Sequence, residues 1–238
     1  MDLVSGAVEL LPMTVAELDD LFHDLVLRVE PRVFVEAGAY EAAASLRVAR
    51  ALPECRVVAF EANPYVYARF SRITDFAAGR VEYRRQALAA EKGEVSFFVV
   101  AESSSWCDDR VEGYNSLLTR AGGDWLGDVE YEEVTVAATT LDHEFADTAG
   151  PFAMWMDVEG AARTVLSGSA AFLSECDVLK IEVEESAFWR DQWLVGDVVA
   201  ELAGHGLTPL ARDAETPQQY NVLFGSRRLL ARHDNPLR

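Results

Sequence analysis

The sequence predicts a doubly wound α/β domain, and three observations predict it. Two short apolar runs, Val33-Phe34-Val35-Glu36 and Val57-Val58-Ala59-Phe60-Glu61, each end on a carboxylate, and the first turns through Gly38 toward a helix. A second pair of runs, Phe152 to Asp157 and Val178 to Val183, repeats the arrangement, and Asp157 precedes Glu182 by the same 25 positions that separate Glu36 from Glu61. Segments of helical periodicity lie between the runs. Strands that alternate with helices give a mostly parallel sheet covered on both faces.

The elements follow in order. Thr14-Val15-Ala16-Glu17 has the form of a capping box. It opens an amphipathic helix to about Val29, with Leu18, Leu21, Phe22, Leu25 and Val26 at helical spacing, closed by Pro31. Residues 1–32 therefore read as a helical lead-in. Strand 33–37 is followed by a helix from about Ala42 to Leu52, and Pro53-Glu54 forms a turn. Strand 56–61 comes next, and Pro64 suits the first turn of a helix ending near Ile73. Val81 to Arg85 alternates as a strand, Gln86-Ala87-Leu88 leaves it toward a loop, and Lys92-Gly93 turns into the strong strand Val95–Val100. Residues 101–128 break every pattern, with Ser103-Ser104-Ser105, Trp106, Gly113, Gly122 and Gly123. So long an irregular insert is usually functional or mobile, and it is assigned to the substrate side. Tyr131 to Ala138 returns as a strand, and Glu159-Gly160 starts a helix to about Leu173. After the strand at 178–183, Asp191 to Leu202 is helical, Gly204 to Gly206 stops it, and Tyr220 to Phe224 is the last strand.

Composition sets the outer bounds. The chain has 238 residues and is 50% hydrophobic, which suits one sizeable core and a single domain over 1–238. Forty acids against 21 bases give a net charge of −19. That balance argues against nucleic acid and anionic membranes as partners, since phosphate binding relies on Lys and Arg clusters. An oligomer is not indicated. Cys55, Cys107 and Cys176 are far apart and odd in number, so no disulfide framework or zinc spacing is expected. No basic, apolar leader and no long apolar stretch is visible, and a cytoplasmic location is expected.

The turn after the first strand narrows the ligand. A dinucleotide needs several glycines, so that backbone can press against a pyrophosphate at a helix N-terminus. Here one glycine is followed by Tyr40, Glu41 and alanines. An acid at that helix start repels a diphosphate, which disfavours a nucleotide-dependent oxidoreductase or epimerase. An adenosine without phosphate fits better, and S-adenosylmethionine is the common one.

Four segments together resemble the FkbM family of S-adenosylmethionine-dependent methyltransferases. They are Val35-Glu36-Ala37-Gly38-Ala39-Tyr40 with Ser45, Ala59-Phe60-Glu61-Ala62-Asn63-Pro64, Ser116-Leu117-Leu118 with Thr139-Thr140-Leu141-Asp142, and Trp155-Met156-Asp157-Val158-Glu159-Gly160 with Val165-Leu166-Ser167-Gly168. They cover roughly residues 33–185, and their order and spacing carry the likeness. The resemblance implies a seven-strand, Rossmann-like class I methyltransferase sheet with the last strand antiparallel. It implies O-methylation of a hydroxyl on a small-molecule, sugar or polyketide-type acceptor, as in natural-product biosynthesis. Two positions depart from the family pattern: Ala42 stands where a second glycine is frequent, and Trp155 where a lysine is common. A non-catalytic module that keeps only the cofactor fold is the remaining rival.

The resemblance and the spacing together imply the site. Glu36 would lie beneath the methionine part of the cofactor, with Gly38, Ala39 and Tyr40 close to it and Ser45 closing the turn. Glu61 would take both ribose hydroxyls, with Ala62 and Asn63 beside it, and Gln86 and Ala87 would meet the adenine edge. Asp157 would sit at the cofactor and serve as general base for the hydroxyl, with Glu182 near it and His143 as the alternative base. Alternatively, Asp157 with Glu182 or Glu184 would hold Mg²⁺, which takes oxygen ligands and lowers the acceptor's pKa. Trp106, Trp125, Trp155, Trp189 and Trp193, with Tyr114, are candidates to wall the acceptor pocket, Trp193 equally for the core.

Overall fold

A computed structural model describes residues 10, 12–103, 110, 113–122 and 129–232. Trp106, Cys107, Gly123 and Trp125 lie outside the described residues. In chain order the elements begin with β1 (Pro12–Met13), α1 (Val15–Val29), β2 (Val33–Ala37), α2 (Ala43–Ala51), β3 (Arg56–Phe60), α3 (Pro64–Ile73) and β4 (Val81–Arg84). Next come β5 (Ala87–Leu88), β6 (Gly93–Ser103), β7 (Val129–Thr139), α4 (Leu141–Glu144), β8 (Phe152–Met156), α5 (Ala162–Leu166) and α6 (Ala170–Ser174). The chain continues through β9 (Cys176–Glu184), α7 (Val195–Gly204), β10 (Leu207–Asp213), β11 (Gln219–Ser226) and α8 (Arg227–Arg232).

The main sheet has the order β1-β10-β11-β9-β8-β2-β3-β4. Strands β9, β8, β2, β3 and β4 run parallel, and β11 is antiparallel to both neighbours. The seven strands expected, with the last reversed, are thus present, and the two-residue β1 adds an eighth at the edge beside β10. The sequence reading missed β10. Pro209 interrupts its alternation and sits at a register shift, which an edge-side strand tolerates and a central one does not. Phe34, Ala153 and Val178 pack one face of the sheet against Leu18, Phe22 and Leu25 of α1 and Val48 of α2. Met154 and Leu179 pack the other face against Leu166, Leu173 and Leu202 of α5, α6 and α7.

Local chemistry explains where the elements start and stop. The capping box forms: the Glu17 carboxylate accepts from the Thr14 amide at 2.8 Å while the Thr14 hydroxyl accepts from the Glu17 amide at 3.2 Å. The helix expected from Glu159 to Leu173 is instead two short helices. Gly168 breaks it, pressed so near the sheet that a Cβ there would lie 2.4 Å from the Ala89 carbonyl oxygen. The Asp142 carboxylate restarts it by accepting from the amides of Ala171 and Phe172. Helix α7 begins at Val195 rather than Asp191, because Gln192 turns inward and its side-chain oxygen accepts from the Phe188 and Trp189 amides.

A second sheet, ordered β5-β7-β6, stands beside the first, so Ala87-Leu88 is strand rather than loop. From it residues 113–122 cross over the ends of the main strands. They make one bridge from Ser116 to Phe98 and another from Arg120 to Trp189. Among the described residues Cys55 and Cys176 are unbridged. No described helix is long and apolar enough to cross a membrane.

Candidate active site

The turn after β2 is coiled tightly. Gly38 has φ +72°, and a Cβ there would lie 1.7 Å from the Asp157 carbonyl oxygen, so only glycine lets β2 and β8 exit side by side. Tyr40 and Ala42 are also left-handed, with φ of 48° and 56°. The turn's amides are used internally: Gly38 and Ala39 donate to the Phe60 carbonyl, Tyr40 to the Glu61 carboxylate, and Ala42 to the Ala39 carbonyl.

Glu36 is buried, and its carboxylate accepts from the Ser45 amide at 2.7 Å. Helix α2 has no side-chain cap at Ala42, so Glu36 satisfies a first-turn amide from below. Burial pushes its pKa up to about 7, against the pull of the Ser45 hydrogen bonds. Neither Glu36 nor Ser45 lines the cavity described next, nor does Ala39. The sequence reading placed all three at the cofactor, and the geometry makes Glu36 and Ser45 the support of the turn instead.

Glu61 lies just past β3, 6% exposed, at the wall of a cavity of about 370 Å³. Its Oε1 accepts from the Asn63 amide at 2.7 Å and its Oε2 from the Tyr40 amide at 2.8 Å. Burial raises its pKa to about 7 despite those amides. Asn63 caps α3, its Oδ1 accepting from Tyr65 and Val66, and its Nδ2 donates to the Arg110 carbonyl. Gly38, Tyr40, Glu61, Ala62 and Asn63 line the cavity, and so do Gln86, Ala87 and Asp157. Tyr114, Asn115 and Leu117 of the crossing segment, with Phe97, supply a wall that no motif had marked. Glu159 also lines it and had been read as a helix-start acid. Its φ of +50° takes it out of any helix.

Carboxylates converge at the ends of β8 and β9. Oxygens of Asp157, Glu159 and Glu182 lie within 4.8 Å of one another. Burial raises Asp157 to about 6, with the Lys180 charge pulling it back. Burial and then the Asp157 charge raise Glu159 and Glu182 well above the usual carboxylate range. Glu184 is raised to about 7 by burial, and its Oε2 accepts from the Gln192 side chain at 3.0 Å. It is not part of the close trio, so the expected metal set changes: Glu159 takes the place given to Glu184. Glu182 and Glu184 do not line the cavity itself.

His143 is not brought to the site. It is exposed on α4, where its Nε2 meets Lys92 Nζ at 2.8 Å, and it does not line the cavity. Trp155, Trp189 and Trp193 do not line it either. Trp155 pairs in register with Lys180, whose ammonium lies 3.7 Å from the Trp155 ring centroid and ion-pairs with Asp19. The neighbouring strand thus supplies a cation where the family pattern has its lysine. Trp189 is fully buried, with the Arg120 guanidinium 4.0 Å from its ring centroid.

Two expected outcomes arise here. Gly160 has φ +77°, and a Cβ there would lie 2.1 Å from Trp189. Gly160→Ala should lower stability by about 2–4 kcal/mol, through strain and overpacking, and shift tryptophan fluorescence. A urea midpoint equal to the parent's would refute this. The second concerns pH. Glu36 and Glu61 titrate at about 7 in the fold against an ordinary 4.5. The folded state therefore holds their protons more tightly than the unfolded chain does. That stability is fully present below 4.5 and is lost as pH rises through about 7. The melting temperature of the ligand-free protein should fall between pH 5 and pH 8, and the fall should shrink in Glu36→Gln. Glu82, held low by the Arg56 hydrogen bond, acts at lower pH, outside this window.

Comparison with known proteins agrees with this geometry. Residues 33–208 match the Methyltransferase FkbM domain. No curated protein matches the chain in sequence. Among solved structures, the precorrin-6y C5,15-methyltransferase from Geobacter metallireducens GS-15 is 12% identical over 92% of this chain and 95% of its own, with a TM-score of 0.48. The magnesium protoporphyrin IX methyltransferase ChlM from Synechocystis PCC 6803 is 11% identical over 89% and 78%, with a TM-score of 0.45. The N-terminal domain of EvdMO1 with S-adenosylhomocysteine bound is 14% identical over 89% and 80%, with a TM-score of 0.46. The domain match spans well over half of the chain, and the chain belongs to the FkbM family of S-adenosylmethionine-dependent methyltransferases.

Proposed function

We propose that this protein transfers the methyl group of S-adenosylmethionine to a hydroxyl oxygen of a small-molecule, sugar or polyketide-type acceptor. One observation carries the cofactor reading: Glu61 lines the cavity with both oxygens already aligned by backbone amides. A carboxylate has about four lone-pair sites, so two remain for a ribose diol. The turn amides that a diphosphate needs are spent on Phe60, Glu61 and Ala39, which fits a cofactor without phosphate. The cavity volume is within the range of small-molecule sites. Gln86 and Ala87 at its wall are assigned to the adenine edge.

When bound, the cofactor supplies an electrophilic methyl on a sulfonium. This chain's own residues have two tasks. The first is to align the acceptor hydroxyl and exclude water, which is assigned to the wall formed by Phe97, Tyr114 and Leu117. The second is to take the hydroxyl proton, and Asp157 is assigned to it. It lines the cavity, and its raised pKa lies closer to neutrality than an ordinary aspartate's. Its neighbours Glu159 and Glu182 add the negative field that favours an incoming proton.

A second reading has a specific observation behind it. The trio Asp157, Glu159 and Glu182 has the spacing of a divalent-cation site, and Mg²⁺ there would lower the pKa of the hydroxyl. Turnover that survives a chelator unchanged removes that reading. We place the protein in the cytoplasm with a small molecule as its partner and neither nucleic acid nor membrane, in keeping with its net charge of −19. The test of the whole reading is calorimetry with S-adenosylhomocysteine, then with NADH. Tight NADH binding without affinity for S-adenosylhomocysteine would return the chain to the oxidoreductases and epimerases.

A further inference from the structure

We infer that the acceptor is an amino alcohol whose protonated amine is held by Glu182, Glu184 and Asn221, a substrate class that rests on the O-methylation reading above. Glu182 and Glu184 are two positions apart on β9 and share a face of the sheet. Asn221 on β11 stands opposite Glu182 in the antiparallel register, so its side chain rises beside it on that same face. Glu184 is 3% exposed and Asn221 is 7% exposed.

Each of these two buried side chains is tied on one side only. Glu184 Oε2 accepts from Gln192, and Asn221 Nδ2 donates to Asp213 Oδ2 at 3.0 Å. An aspartate oxygen only accepts, so that bond fixes which end of the Asn221 amide is the oxygen. Glu184 Oε1, Asn221 Oδ1 and Glu182 Oε1 are all buried, and none has a donor among the described residues. Buried acceptors are normally paired. Three orphaned together, beside Asp157 and Glu159, call for a ligand that brings several donors and positive charge.

A protonated amine brings three N–H donors and one charge. The cations of this region are already engaged: Lys180 with Asp19 and Trp155, and Arg120 against Trp189. A single metal ion answers the pattern less well. Its ligand atoms must share one small coordination sphere. The close trio does so, but Glu184 and Asn221 lie outside that set and would stay unmatched. An amine on a carbon frame, with a hydroxyl a few bonds away, reaches the orphaned oxygens while its hydroxyl meets Asp157 at the cavity.

The experiment is calorimetry on protein first saturated with S-adenosylhomocysteine, using two matched pairs: glucosamine with glucose, and 2-aminocyclohexanol with cyclohexane-1,2-diol. The amine of at least one pair should bind about tenfold tighter than its neutral partner. That preference should fall toward parity in Glu184→Gln, with the affinity for S-adenosylhomocysteine unchanged. Glu182→Gln gives the same readout should the first variant fail to fold. No amine preference in either pair overturns the proposal, whether both members bind or neither does. So does a preference that persists in both variants, or stoichiometric Mg²⁺ binding that Glu182→Gln abolishes. Failure of S-adenosylhomocysteine to bind at the first step would instead break the cofactor reading, and the two failures are thereby told apart.

Discussion

Glu61→Ala is expected to reduce affinity for S-adenosylhomocysteine by a factor of about 10² to 10⁴. The carboxylate would lose two ribose hydroxyl bonds, and hydrogen bonds to a charged group contribute roughly 1.5–3 kcal/mol each. The effect reaches the apo protein as well. The Tyr40 and Asn63 amides both donate to Glu61, one from the turn after β2 and one from the start of α3. Removing the acceptor leaves two buried donors unpaired, at a cost of about 1–3 kcal/mol each. Stability and binding should therefore fall together in the alanine variant. Glu61→Gln separates them. It keeps one oxygen for one amide but sets an N–H₂ against the other, so part of the stability returns while the pairing with both hydroxyls does not. Calorimetry with S-adenosylhomocysteine and urea unfolding on both variants provide the readouts. A folded Glu61→Ala protein that binds within threefold of the parent would end the cofactor assignment.

What was legible in the sequence was whatever local chemistry dictates. The strands β2, β3, β8 and β9 are nearly continuous apolar runs, because they are buried on both faces, and such runs announce themselves. The capping box at Thr14 and the Asn63-Pro64 start of α3 are signals within four residues, and both form. Carboxylates at strand ends pointed to the right edge of the sheet, because loops gather at the carboxyl ends of parallel strands. What stayed hidden depends on contacts across the chain. Nothing near Glu36 says that its carboxylate turns to Ser45 rather than outward, since that depends on a left-handed Ala42 leaving α2 uncapped. His143 looked equivalent to any other helix-start histidine until the fold set it beside Lys92, away from the cavity. The wall from residues 113–117 could not be read because an irregular segment has no period. Glu184 and Asn221 are 37 positions apart in sequence, and only the β9–β11 register sets them on one face.

Asp157→Asn is expected to lower kcat by about 10² to 10⁴, the usual contribution of a general base, while the affinity for S-adenosylhomocysteine stays within a few fold. The reason for the split is geometric. The Asp157 backbone carries the structural contacts: its amide donates to the Ala37 carbonyl, and its carbonyl oxygen is the atom that packs against Gly38. The side chain is free of those duties, so an isosteric amide leaves the turn in place and removes only the basic oxygen. Asparagine also removes one negative charge from the trio, which should let Glu159 and Glu182 ionise more easily. If a metal rather than Asp157 did the proton work, the same variant would show its loss chiefly as weakened metal affinity, and raising the Mg²⁺ concentration would restore the rate. A base lost to asparagine is not recovered by any metal concentration, whereas a sufficiently alkaline medium recovers part of the rate by ionising the acceptor directly. The pH profile of kcat in Asp157→Asn therefore decides between the two, and a profile and rate identical to the parent's would dismiss Asp157 from the chemistry altogether.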